Sequence, residues 1–146
     1  MSYRRSILVG LALVLCSGTL AAAQDLDFVV VVNAANPTEQ LSRQEISRMF
    51  LKQRARWDHG ERVRPVDLTE DAEIRERFSL AIFRRRTLDI ENHWKTMVFS
   101  GRDVPPPEKA SELEILDYVA ANPGAIGYVS RENYLPPGVK AVEIVD

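Results

Sequence analysis

The segment Phe28–Asn33, Phe-Val-Val-Val-Val-Asn, is the feature that most limits what this chain can fold into. Its four consecutive valines are β-branched and favour a strand. Apolar and polar residues do not alternate along it, which is typical of a strand buried on both faces. The segment therefore predicts a sheet that is covered by helices on each side.

Four helices are predicted along the rest of the chain. A capping box, in which Ser precedes Glu by three residues, predicts helix starts at Ser42 and at Ser111. Thr69 and Thr87 each precede a helical pattern and can serve as N-caps.

A strand pattern at residues 63–68 follows the first of these helices, and two more, at residues 125–129 and 139–145, follow the last. Pro65 lacks a backbone donor, which suggests an edge position or a strand start for the first of them. Alternation of strands and helices predicts an α/β fold. We expect a single three-layer lobe with a mostly parallel sheet flanked by helices.

Residues 1–23 have the pattern of a secretory signal peptide. Arg4 and Arg5 precede an apolar stretch at residues 7–15, and three alanines at residues 21–23 supply a small-residue cleavage site before Gln24. A retained membrane anchor is the alternative, because residues 6–23 carry no charge. Lipid attachment at the single cysteine is disfavoured by the bulky Leu15 before it. The sequence thus predicts export to the periplasm and one domain at residues 24–146.

Composition excludes several classes of protein for that domain. Cys16 is the only cysteine, so residues 24–146 can hold no disulfide, thiol nucleophile or thiolate metal site. Removal of residues 1–23 takes two arginines and no acid, which changes the formal net charge from −2 to −4. That charge argues against nucleic-acid binding by phosphate neutralisation.

No enzymatic constellation is present either. His59 and His93 lie in different predicted elements without metal-ligand spacing, and no Gly-x-Ser-x-Gly motif accompanies the serines. Glu70, Asp71 and Glu73 cluster where a helix N-terminus favours negative charge, so dipole complementation explains them. We expect no enzyme activity, no metal and no cofactor.

The order of motifs resembles the second lobe of periplasmic phosphate-binding proteins of ABC importers, which are type II periplasmic binding proteins. The resemblance extends over residues 28–134. The matching motifs are residues 30–33 (Val-Val-Val-Asn), residues 41–46 (Leu-Ser-Arg-Gln-Glu-Ile), residues 49–51 (Met-Phe-Leu), Trp57, Gly60, Trp94, Phe99, Gly101 and residues 122–129 (Asn-Pro-Gly-Ala-Ile-Gly-Tyr-Val). The resemblance implies a solute-binding-like protein built on one lobe.

Two departures from that family bear on function. Its members hold the anion between two lobes, whereas the 123 residues of the domain suffice for only one. The family's ligand segment Arg-Ser-Asp-Gly-Ser-Gly-Thr is matched here by residues 68–74, Leu-Thr-Glu-Asp-Ala-Glu-Ile. The family's arginine is matched by Leu68, its first glycine by Asp71, and its Ser-Gly-Thr donors by residues 72–74, Ala-Glu-Ile. Donors are lost and negative charge is added at a helix start, so we expect phosphate binding of the family's type to be lost.

The resemblance places three residues at the edge of the binding cleft: Asn33, Thr69 and Glu70. Each also has a structural interpretation, as a strand-end turn residue, an N-cap and a helix-dipole partner respectively. The candidate partners are a small anion or another solute, a membrane transporter or sensor protein, and a second copy of the chain in a homodimer. The leading hypothesis is an exported solute-binding-like protein, and the alternative is a periplasmic protein-interaction or sensor-accessory module.

Overall fold

A computed structural model of the chain describes residues 26–146. The predicted signal peptide and its cleavage site lie outside these residues. Within residues 26–146, every helix is too short or too polar to span a bilayer.

Seven strands and four helices follow one another along the described chain. The strands are β1 (Phe28–Asn33), β2 (Gln40–Ser42), β3 (Arg64–Pro65), β4 (Asp67–Leu68), β5 (Glu108–Lys109), β6 (Ala125–Ser130) and β7 (Val139–Val145). The helices are α1 (Arg43–Phe50), α2 (Glu73–Phe83), α3 (Thr87–Phe99) and α4 (Glu112–Ala121).

The main sheet has five strands in the order β2-β7-β1-β6-β3, with the valine-rich strand at its centre. Val30, Val31 and Val32 are each 0% exposed, which confirms that β1 is buried on both faces. The strand predicted at residues 63–68 is divided between β3, at one edge of this sheet, and β4, which pairs with β5 in a separate two-stranded ladder. The edge position suggested by Pro65 is confirmed.

The sheet is mixed, so the expectation of a mostly parallel one was wrong for its centre. The central strand β1 runs antiparallel to both β6 and β7, and only the outer pairs β2–β7 and β3–β6 are parallel. A continuous apolar run indicates burial on two faces but carries no information on strand direction. Here the burial comes from the helix layers, whatever the direction of the neighbouring strands.

Helices cover both faces of this sheet, which confirms the three-layer α/β lobe. Methyl groups of Ile115 and Val119 in α4 lie against Gly127 of β6. On the opposite face, Phe78 of α2 stacks on Tyr128 with ring centroids 3.8 Å apart. The Phe28 ring meets the same Phe78 edge-on at 5.3 Å.

Both predicted capping boxes are confirmed. The Ser42 hydroxyl accepts the Glu45 N–H at 3.2 Å, while Glu45 Oε2 accepts the Ser42 N–H at 2.9 Å. Ser111 and Glu114 repeat this exchange at the start of α4. Because the reciprocal contacts lie within one turn, the local sequence is sufficient to specify them.

The expected N-cap at Thr69 was wrong. Helix α2 begins at Glu73 with Ala72 as its N-cap, and no side chain caps it. Residues 69–72 form a turn instead, closed by the Ala72 N–H donating to the Thr69 carbonyl at 3.1 Å. The Thr69 N–H donates to the Lys109 carbonyl beside the β4–β5 ladder, so this residue continues the strand and not the helix.

The predicted cap at Thr87 was wrong by one residue. Thr87 is the first residue of α3, and Arg86 occupies the N-cap position. Glu76 of the preceding helix accepts the Thr87 N–H at 2.8 Å. The helix start is therefore satisfied by a tertiary partner that a local capping rule does not consider.

Candidate functional site

Asn33 lies at the end of β1, where it has a structural role. Its Nδ2 donates to the carbonyls of Val119 and Ala120 at 2.9 and 3.1 Å, at the C-terminus of α4. Its Oδ1 accepts the Ala35 N–H at 2.9 Å. The side chain is buried, and these contacts engage its amide and its carbonyl oxygen.

Thr69 and Glu70 lie together in an open groove of about 640 Å³, which we call the acidic groove. Its lining residues are Thr69, Glu70, Asp71, Glu91, Lys95 and Glu108. Asn33 is not among them, so the structure unites two of the three residues that the sequence placed at a cleft edge. Four of the six lining residues are acidic and one is basic, so the groove carries a negative field.

A buried arginine lies behind this groove. Arg75, in the first turn of α2, is only 4% exposed. Its Nη1 donates to the Leu68 carbonyl at 2.8 Å and to Glu108 Oε1 at 3.0 Å, and its Nη2 donates to Glu91 Oε1. Glu91 and Glu108, which line the groove, therefore accept hydrogen bonds from this guanidinium.

A third carboxylate faces the same guanidinium from the interior. Asp67 Oδ1 lies 3.6 Å from Arg75 Nε, and it accepts both the Leu68 N–H at 2.8 Å and the Tyr128 hydroxyl. Burial raises the pKa of Asp67, and the positive charge of Arg75 opposes that rise. Burial and the neighbouring Asp67 charge raise the pKa of Tyr128, which keeps its hydroxyl protonated as a donor.

Sequence reasoning missed this buried cluster, although one signal was present. Arg75 precedes Phe78 by three residues and Ile82 by seven, which places it on the apolar stripe of α2. A charged residue on a core-facing stripe requires buried partners. Its partners Asp67, Glu91 and Glu108 are spread over three other elements, so the sequence alone does not identify them.

Metal binding has no geometric support in the part of the chain that the structure describes. Among residues 26–146, no three His, Cys, Asp or Glu side chains are grouped so that they could hold a metal ion. Two of the four carboxylates of the acidic groove, those of Glu91 and Glu108, pair with Arg75 instead.

The chain has the fold of one lobe of phosphate ABC transporter substrate-binding proteins. An ABC-type phosphate transport receptor from Vibrio cholerae superposes with a TM-score of 0.63 and 19% identity over 81% of this chain. A putative phosphate ABC transporter substrate-binding protein with bound phosphate from Clostridium perfringens gives the same three values. A possible phosphate-binding protein from Planctomyces limnophilus gives a TM-score of 0.59 and 17% identity over 82% of this chain.

This chain spans less than half the length of each of these proteins: 46%, 44% and 42% respectively. The resemblance to a single lobe is thereby confirmed at the level of the fold. No family model matches the chain, and no curated protein matches its sequence.

Proposed function

We propose that this protein is an exported, non-enzymatic solute-binding-like protein that does not bind phosphate in the manner of the proteins whose fold it shares. The signal pattern of residues 1–23 supports export to the periplasm. The structural neighbours are named as a transport receptor and substrate-binding proteins, which supports a binding function without catalysis.

The acidic groove and the hydrogen-bonded guanidinium of Arg75 support the second part of this proposal, that phosphate is not bound. A phosphate needs free donors and a positive field, as a helix N-terminus or an arginine provides. Here Glu91 and Glu108 take donors of Arg75, and Glu70 and Asp71 place negative charge just before α2. One such charge at about 4 Å opposes an anion by about 4 kcal/mol at an effective dielectric near 20, and solvent exposure reduces that value.

Isothermal titration of the purified protein with inorganic phosphate tests this proposal. We expect no saturable heat at neutral pH and low salt, because the groove repels the anion. Titration with sodium chloride at equal ionic strength is the control for heats of dilution, and circular dichroism checks that the protein is folded. Saturable micromolar binding would contradict the proposal and would require a donor set other than that of the acidic groove.

The alternative function, a periplasmic protein-interaction or sensor-accessory module, is favoured by a separate observation. Three apolar side chains near the end of α3 are exposed to solvent: Val98, Phe99 and Val104. Large exposed apolar patches mark interaction sites on soluble proteins, and Val98 and Phe99 line one groove. A membrane transporter or sensor protein is the kind of partner that this candidate function implies.

A further inference from the structure

The last two turns of α3 and the extended segment before β5 enclose an apolar groove. Trp94, Val98, Phe99 and Pro105 supply its apolar lining, and we call it the α3 groove. The Trp94 side chain is buried against the domain. In contrast, Phe99 is 90% exposed, so its ring projects into solvent without a covering partner from residues 26–146.

Water contact with so large an apolar surface is unfavourable. Burial of a phenylalanine side chain is favourable because it removes that surface from water. Val98 lines the same groove as Phe99 and is also exposed, so the unfavourable surface is a patch and not a single residue. A partner that covers the patch would recover this free energy.

The α3 groove is continuous with the acidic groove. Glu91, Lys95 and Glu108 line both of them, so the two form one surface. Glu70 and Asp71 line the acidic groove alone and enlarge the acidic part of this surface. An apolar half therefore adjoins a half with four carboxylates and a single exposed lysine.

We propose that this combined surface docks a segment of a partner protein that carries an apolar side chain next to lysine or arginine. The apolar side chain packs against Phe99 and Val98, and the basic residue pairs with the carboxylates of the acidic groove. This inference deepens the interaction-module function proposed above and rests on it. Charge complementarity selects the occupant, because attraction between opposite charges raises the encounter rate and suppresses other partners.

Charge also disfavours a second copy of the chain as the occupant. A symmetric dimer would bury the same surface of both subunits, so neither copy would bring a net positive charge to the acidic half of the other. Like charges across an interface oppose association. An anionic lipid surface is disfavoured for the same reason.

Fluorescence anisotropy with two labelled peptides tests the proposal on the purified protein. The first probe is an amphipathic Leu/Lys helix peptide, and the matched control is the Leu/Glu peptide of the same pattern. We expect the Leu/Lys peptide to bind saturably and to weaken with added salt, because its charges are partly exposed. Equal binding of the Leu/Glu peptide would overturn the proposal.

Substitutions within this surface, with a matched control outside it, test whether the Leu/Lys peptide binds there. Phe99→Ser should weaken Leu/Lys binding about tenfold or more, as the loss of a central aromatic anchor does. Leu113→Ser is the matched control, because Leu113 is 67% exposed on α4 and lines neither groove. Glu70→Gln combined with Asp71→Asn should weaken the same binding and reduce its salt dependence.

Two results would overturn the assignment of the surface. Unchanged peptide binding by Phe99→Ser would exclude the α3 groove, and a dimer in analytical ultracentrifugation that Phe99→Ser abolishes would identify a second copy as the occupant. The phosphate titration is independent of both outcomes. Peptide binding that Phe99→Ser leaves unchanged would thus refute this surface and not the interaction-module function, whereas absence of binding by the Leu/Lys peptide would count against both.

Discussion

Replacement of Arg75 with methionine is expected to lower the free energy of unfolding by about 3–5 kcal/mol at neutral pH, as removal of one partner of a buried ion pair does. Methionine fills much of the same volume, so the main loss is electrostatic. It leaves Asp67 buried and charged with only the Leu68 N–H and the Tyr128 hydroxyl as partners. Glu91 and Glu108 also lose their shared cation.

The pH dependence of this loss identifies its cause. Burial already raises the pKa of Asp67, and removal of Arg75 raises it further because the opposing positive charge is gone. A carboxyl with a raised pKa binds its proton more tightly in the folded state. The contribution of this proton to the free energy of unfolding is therefore fully present below the pKa of the unfolded carboxyl. It is lost as the pH rises through the folded-state pKa. The variant should thus lie closer to the natural protein at mildly acid pH than at neutral pH.

Urea denaturation followed by circular dichroism at the two pH values measures the effect. At each pH the free energy of unfolding of the variant is compared with that of the natural protein, because groups other than Asp67 titrate in both proteins. Glu45 is one: its pKa is lowered chiefly by the Ser42 backbone N–H, so its contribution is lost on acidification in both proteins alike.

Arg77→Met is the matched control, two residues further along α2. Arg77 is half exposed and pairs with Asp27 and Glu73 at the surface, where ion pairs contribute little. We expect only a small change in stability for it. An Arg75 variant as stable as the Arg77 variant, or one whose deficit grows on acidification, would show that the buried cluster does not carry this energy.

Gly124→Ala is the second substitution with a large expected effect. A Cβ at residue 124 would lie 1.9 Å from the backbone carbonyl oxygen of Arg62, which no rotamer change can relieve. The Gly124 carbonyl accepts both the Arg64 N–H at 2.9 Å and the Trp57 indole N–H at 3.0 Å. Movement of the backbone would therefore break the contacts that join β3 and Trp57 to the start of β6. We expect a loss of more than about 3 kcal/mol.

Gly127→Ala, three residues along the same motif, is the control for this prediction. Its Cβ would meet the Ile115 Cγ2 methyl at 2.8 Å and the Val66 Cγ1 methyl at 3.1 Å. These branch methyls are stiff, but unlike a backbone carbonyl they can be displaced without breaking a hydrogen bond. Overpacking of this kind costs about 1–3 kcal/mol. Thermal unfolding monitored by circular dichroism compares the two variants. A Gly124 variant that unfolds no earlier than the Gly127 variant would contradict the backbone clash.

The acidic groove and the buried cluster behind it are the physical basis of the proposed loss of phosphate binding. In this lobe the buried Arg75 pairs with Asp67 in the interior and with Glu91 and Glu108 at the acidic groove. The charge that could have attracted an anion stabilises the domain instead. Glu70 and Asp71 are exposed in the same groove, where they are suited to a cationic partner.

The sequence by itself determined the features whose causes are local. Four adjacent valines specify a strand that must be buried on both faces, and the capping boxes at Ser42 and Ser111 close within a single turn. A missing backbone donor confines Pro65 to an edge strand. The alternation of these elements was enough to predict a three-layer α/β lobe.

Only the tertiary structure decided the features that depend on distant partners. Asp67 and Tyr128 are 61 residues apart in the sequence, and the three carboxylates around Arg75 belong to different segments. The antiparallel direction of β1, the start of α2 at Glu73 and the burial of Arg75 all follow from how those segments pack. The physical reason is that periodicity and capping describe neighbours along the chain, whereas a buried charge and a strand pair depend on neighbours in space.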